Sequence, residues 1–287
     1  MAGFLSGLEK LGLGNIEGES LFEDPAAQKK VEKKKEAPQK RLQLVNEEDY
    51  LYDKKIKCPV CDMVFEAKTV RTGKVKIKNV DIDLRPDYDE LDQNKYDVIA
   101  CTCCGYAALG RYFPNINKYQ IEDVKMKICM NYRHEPNRDN IYSYAYAKRL
   151  YQLALANAVV KKAKNSEKAY ICLKTAWVIR GETQRLDPND PKYESMKAEN
   201  DSQEKELLTN AFNGFVLAKQ SEAFPIAGMD SSTLDYLLAA LAVETEQKEV
   251  AQKMIGDILA SRSANARIKD RARLLKAALE DGNNNKE

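Results

Sequence analysis

The sequence contains one histidine and one tryptophan in 287 residues. It has no uninterrupted run of about 18 apolar residues, the length a membrane-spanning helix needs, so no membrane span is expected. It lacks a G-x-x-x-x-G-K-[ST] loop, a G-x-G-x-x-G fingerprint, a G-x-S-x-G elbow and an H-E-x-x-H pair, so no familiar catalytic signature is present. The lone His134 stands in a polar stretch before Pro136 and reads as a surface or hinge residue. A charge excess is also missing. Lys and Arg number 46 against 44 Asp and Glu, a net charge of +2, so there is no overall basic field for nucleic acid, only local patches. The N-terminal segment has no basic opening, and Glu9 and Lys10 interrupt its apolar residues, unlike a secretory signal. A cytoplasmic location is therefore expected, with the seven cysteines reduced or metal-bound.

What is present suits a mostly helical protein. Hydrophobic residues make up 44%, enough for a core, and charged residues 31%, which fits long helices washed by solvent. Residues 1–45 combine a short apolar segment (Phe4, Leu5, Leu8 and Leu11 at helical spacing) with a Lys-rich, Pro-flanked linker. The linker reads as a solvated tether rather than a nucleic-acid-binding arm, because its glutamates dilute the charge.

Residues 46–118 carry a strand-like period of two. Val75 and Ile77 alternate with Lys74, Lys76 and Lys78, and Val80, Ile82 and Leu84 alternate with Asp81 and Asp83, with a slip near Asn79. Tyr96, Val98 and Ile99 suggest another short strand, and residues 86–89 a turn. The acids Asp81, Asp83, Asp87, Asp89 and Glu90 read as the solvent face of a strand followed by a polar turn. A second metal site or an acid–base pair would need convergent geometry that spacing alone does not supply.

Residues 119–281 are helical in pattern. A helix begins near Asn140, and a second runs from a Ser166 cap to Gln184 with Ala169, Leu173 and Ala176 on one stripe. A charged helix follows over 191–220. Asp230 or Ser231 caps the next, and two more span about 247–261 and 264–281. Helices of this length with short connections suggest stacked hairpins of a degenerate tetratricopeptide-like kind. Trp177 and Arg180 fall on an apolar helix face, where the indole reads as core packing. Residues 282–287 form an expected disordered tail. The fold class is thus α+β, mostly α: a small zinc-ribbon-like β domain followed by a helical-hairpin domain.

The strongest chemical signal is Cys58-Pro59-Val60-Cys61 with Cys101-Thr102-Cys103-Cys104-Gly105. Two C-x-x-C knuckles offer four soft thiolates, the ligand set of structural Zn²⁺. Pro59 stiffens the first turn and Gly105 frees the second. The separation is long, residues 62–100, against the usual 15–20 or so. Cys103 is read as the non-ligand, although a local swap stays open. Cys129 and Cys172 lie in helical contexts as small apolar residues. Four thiolates fill the coordination sphere, which favours a structural metal over a catalytic one. A redox dithiol ranks lower, since no βαβ pattern surrounds Cys58.

The segments CPVC, D-x-D-x-R-P-x-Y at 81–88, YDVIACTCCGYAALGRYFP at 96–114, AWVIR at 176–180, FPIAGMD at 224–230 and SANARIKDRARLL at 263–275 resemble a bacterial family known as domain of unknown function 2225. The resemblance covers roughly residues 50–280. It implies a zinc-ribbon-type region before tetratricopeptide-like helices and brings no established activity. Family members usually carry Gly after the first knuckle, where this chain has Asp62.

Three functional readings follow. The first is a zinc-bearing adaptor whose helices hold a protein or peptide partner. The second is nucleic-acid binding through Lys74, Lys76, Lys78, Arg111, Tyr106 and Tyr112, cations and rings that could stack bases, although rings around such a knuckle more often form the small core a ribbon shares with its neighbour. The third is a thiol-redox or metal-dependent enzyme, for which no catalytic residue can be named. Oligomeric state is not encoded in any recognisable pattern.

Overall fold

The computed structural model describes residues 46–284 except Asp89 and Arg138, with side chains as far as Glu280. The readings of residues 1–45 and of 285–287 lie outside the described residues. The described residues from Asn46 onward form one compact unit. The architecture is α+β and mostly helical: three small β-hairpins come first and the long helices follow.

Each hairpin is antiparallel and two-stranded. β1 (Leu51–Lys57) pairs with β2 (Val64–Val70), from Leu51 opposite Val70 to Lys57 opposite Val64. β3 (Ile77–Val80) pairs with β4 (Pro86–Tyr88), with an irregularity between Ile77 and Asn79 where the sequence suggested a slip. β5 (Val98–Ala100) pairs with β6 (Ala107–Leu109), Val98 opposite Leu109. The middle hairpin accounts for much of the long separation between the cysteine knuckles.

Three local expectations are corrected here. The alternation ends as a strand at Val80, and residues 81–85 form the turn, closed by Asp81 N–H donating to the Arg85 carbonyl at 2.8 Å. Residues 86–88, expected to turn, return as β4. Tyr96 lies in a short 3-10 turn (Gln93–Tyr96) before β5, not in the strand.

The helices are α1 (Lys118–Val124), α2 (Tyr144–Val160), α3 (Asn165–Thr183), α4 (Tyr193–Ser221), α5 (Ser231–Glu244), α6 (Lys248–Ala260) and α7 (Ala266–Asn284). Side-chain oxygens cap four of them by accepting from orphan amides, Asn265 doing so for α7 by accepting from Ile268 at 2.9 Å. Asn117 accepts from Gln120, Ser143 from Tyr146 at 3.1 Å, and Asp230 from Thr233 at 2.7 Å. Ser166 is not a cap. It sits inside α3, where its amide and hydroxyl both donate to the Glu222 carboxylate.

α3 is buried on nearly every side, as a helix at the centre of a domain must be. Ala169, Cys172, Leu173, Ala176 and Trp177 pack with Leu208, Phe212 and Phe215 of α4 and Leu234, Leu238 and Leu241 of α5. Ile171 and Val178 face the other way, into a core with Leu150, Tyr151 and Ala154 of α2 and with Val98 and Leu109. α3 and α4 run antiparallel: a Cβ on Gly214 would lie 2.8 Å from that of Ala169, and Arg180 meets Glu204 at 2.6 Å. α4 and α5 are antiparallel too, since Lys219 pairs with Asp235 and Lys205 with Glu246.

Candidate metal centre

The two knuckles are the turns of the first and third hairpins. Residues 58–63 connect β1 to β2, and residues 101–106 connect β5 to β6. The backbone closes both in the same way. Cys58 N–H donates to the Met63 carbonyl at 2.9 Å, and Asp62 N–H to the Cys58 carbonyl at 3.0 Å. At the second knuckle Cys101 N–H donates to the Tyr106 carbonyl at 2.8 Å, and Gly105 N–H to the Cys101 carbonyl at 3.0 Å. The residue after the second cysteine is left-handed in each, Asp62 at φ 62° and Gly105 at φ 76°. Aspartate is among the few side chains that tolerate this region, which explains how Asp62 can stand where the resemblance implies Gly.

Gly105 has no such freedom to vary. A methyl group there would overlap the Tyr132 ring. Its carbonyl also accepts from Asn157 Nδ2 of α2 at 3.0 Å. Gly105→Ala is therefore expected to destabilise the protein by about 2–4 kcal/mol, combining left-handed strain with overpacking. Urea unfolding of the variant alone and with Tyr132→Ala checks this: the second change should recover the steric part.

The sulfurs of Cys58, Cys61, Cys101 and Cys104 all lie within 4.8 Å of one another. Cys58 Sγ is 3.6 Å from Cys104 Sγ, and Cys61 Sγ is 3.6 Å from Cys101 Sγ. Four sulfurs about 2.3 Å from a central ion in tetrahedral array stand about 3.8 Å apart, so the quartet fits a bound metal ion. Cys58 and Cys101 are inaccessible to solvent and Cys104 nearly so, packed with Val60, Phe65, Tyr106 and Phe113 and covered by Val124 of α1. Without a cation the thiols compete for protons. Hydrogen bonds from Cys104 and Cys58 hold Cys101 far below the usual thiol range, while sharing with Cys101 pushes Cys58 up to about 12 and Cys104 higher still. A divalent ion relieves that competition by taking all four as thiolates.

The remaining cysteines are not members of the quartet. Cys103 is exposed, and nearby Cys61 pushes its thiol up. Cys129 is half-buried beside the cluster, its thiol raised by burial. Cys172 lies in the helical core. His134 is exposed and meets the Tyr132 hydroxyl at 3.2 Å. Among the other singled-out residues, Lys74, Lys76 and Lys78 are exposed around β3. Arg111 is exposed and Tyr112 half-buried. Tyr106 has no solvent exposure, and its hydroxyl donates to the Phe113 carbonyl at 3.1 Å.

The reading of Asp83 as a solvent-face acid is overturned, and Asp81 is half-buried. Asp83 is fully buried and Arg85 is 2% exposed. The 81–85 turn carries them into α3. Trp177 Nε1 donates to Asp83 at 2.8 Å, and Arg180 meets Asp83 at 3.1 Å, Glu204 at 2.6 Å and also Glu244. Arg85 reaches Asp81 at 3.2 Å and Gln184 at 3.0 Å. Burial, with Asp83 close by, pushes the Glu244 carboxyl up to about 7, and burial raises Glu204. Nothing in the local pattern separates these acids from surface acids, because their partners lie some 94 residues along the chain.

No helix among the described residues is long and apolar enough to cross a membrane. No curated protein matches the chain, and no solved structure does. Residues 51–279 match the family described as "uncharacterized protein conserved in bacteria (DUF2225)". That span includes both knuckles, the buried turn and all of the long helices up to α7, and the chain belongs to this bacterial family.

Proposed function

We propose that the protein is a cytoplasmic zinc-bearing adaptor: zinc on Cys58, Cys61, Cys101 and Cys104 staples the hairpins, and the helical region holds a protein or peptide partner. The convergence of four thiols, with three of them buried, carries the structural reading of the metal. All four positions of a tetrahedron are then taken by protein, leaving no site for a substrate. Zinc is the ion that best suits an all-thiolate set in a closed turn pair. The binding reading rests on the successive antiparallel helices, whose hairpins are similar to tetratricopeptide units. A groove of about 510 Å³ lies along α5 and α6, with Asp235, Val250, Lys253, Met254 and Ile258 on its walls. Its mix of apolar and charged groups suits a peptide more than a metabolite.

Nucleic-acid binding keeps some support from the exposed lysines around β3. Burial of Tyr106 counts against it, since that ring cannot stack a base. A photo-crosslinking residue at Val250 tests the adaptor reading against one at Leu274, which is exposed outside the groove. A polypeptide crosslinked at 250, absent at 274 and lost with Met254→Arg, would support it. Nucleic acid as the crosslinked species, or equal labelling at both positions, would overturn it. Metal analysis of the same sample should return one zinc per chain.

A further inference from the structure

A second cleft, of about 420 Å³, opens between the first hairpin, the third hairpin and α3. Its walls carry four cations, Lys54 of β1, Lys68 of β2, Arg111 just after β6 and Lys174 of α3. Two are neutralised. Lys174 meets Asp97 at 2.6 Å, and Lys68 meets Asp53 at 3.0 Å. Lys54 and Arg111 have no carboxylate partner among the described residues, so the cleft holds an uncompensated positive charge. Its volume falls within the roughly 300–1,000 Å³ of small-molecule sites.

Arg111 is held in place although unpaired. Its Nη1 donates to the Ala227 carbonyl at 2.7 Å, and its guanidinium lies 5.5 Å from the centre of the Tyr170 ring and 5.8 Å from that of Tyr112. A guanidinium fixed by a backbone carbonyl and two rings has spent its ordering entropy in advance and keeps N–H donors for an anion. Tyr170 is also approached by Lys174 Nζ, at 5.7 Å. With cations already against that ring, a base has little room to stack there. Recognition falls to the cations, and the fork of Arg111 and the point charge of Lys54, on the walls of one cleft, suit phosphate oxygens.

We infer that this cleft binds a small molecule bearing two or more linked phosphates, at a site separate from the metal cluster. A nucleoside polyphosphate and inorganic polyphosphate share that chemistry, and both are tested.

The experiment titrates the full-length metal-loaded protein with inorganic tripolyphosphate, with a nucleoside triphosphate and with the free nucleoside. Heat is followed in parallel with emission from Trp177, whose ring lies 4.9 Å from Lys174 Nζ. Saturable one-to-one binding of a triphosphate is expected, with the nucleoside silent. Similar affinities for the two triphosphates assign recognition to the phosphates alone; clear preference for the nucleotide assigns it to a nucleotide's phosphates. Lys54 is exposed, with no carboxylate partner among the described residues, so Lys54→Glu should leave the circular dichroism unchanged while weakening binding by at least about tenfold. Arg111→Gln should weaken it comparably, and Lys74→Glu, outside the cleft, should not. The inference is overturned by absence of saturable binding, or by equal weakening from Lys74→Glu. It is also overturned if a single-stranded oligonucleotide binds through Lys54 and Arg111 while tripolyphosphate does not.

Discussion

Cys58→Ser is expected to remove the metal and unfold the region that contains both knuckles. Metal content should fall from one ion per chain to none, and the near-ultraviolet signal of the rings packed there should collapse. The reason is the size of the core around the cluster. Phe65, Tyr106, Phe113 and a few small residues surround the thiols, and the paired strands beside them are three and seven residues long. Isolated hairpins of that kind are marginal in water, whereas a structural zinc contributes apparent binding energy of about 10–16 kcal/mol. The loss should spread into α2, because Val98, Ala107 and Leu109 of the third hairpin pack on Ala147, Leu150 and Ala154. Cys103→Ser is the matched control. Its thiol is exposed and outside the quartet, so metal content and fold should be unchanged. A Cys58→Ser protein that keeps its near-ultraviolet spectrum without metal would sink the structural role.

The cysteine quartet was legible in the sequence because each half of it is local. A C-x-x-C turn places two thiols on one side of a tight loop whatever the rest of the chain does, and only the meeting of the halves depends on tertiary structure. The helices were legible for a related reason: their apolar stripes repeat within a turn or two, and the observed ends fall close to the expected ones. Polar groups whose partners are remote behave otherwise. Asp81 and Asp83 alternate with Val80, Ile82 and Leu84 as they would on a half-exposed strand, and only Arg180 and Trp177 reveal that Asp83 is buried. Ser166 looked like a cap because a serine before an apolar stripe often is one. Its hydroxyl instead answers Glu222 at the far end of α4. The rings around the second knuckle suit a shared core more often than a stacking face, and the turn there does point Tyr106 into the core.

Arg180→Met is expected to destabilise the protein by about 3–5 kcal/mol at pH 8, the range for taking one partner out of a buried ion group. The guanidinium serves Asp83, Glu204 and Glu244 together, with Asp81 3.4 Å away. Arg85 is the other cation near these acids and is directed to Asp81 and Gln184. Without Arg180, several buried carboxylates face one another with little compensation. The effect should depend on pH, and its sign follows from Glu244. In the folded protein its carboxyl is raised to about 7, above the unfolded value near 4.5. A folded-state pKa above the unfolded one contributes stability that is present below about pH 4.5 and lost as pH rises through about 7. Removing Arg180 takes away the one influence that lowers this pKa among the largest acting on it, so the variant should hold the proton more tightly still. The difference between variant and parent should therefore shrink on going from pH 8 to pH 6. Urea unfolding of both proteins at each pH measures it, and comparison at equal pH cancels the acid sensitivity of the metal site. Adding Glu244→Gln to Arg180→Met should restore part of the stability at pH 8 and flatten the pH dependence. A difference below about 1 kcal/mol at pH 8, or one that grows as pH falls, would mean that Arg180 does not compensate these buried acids.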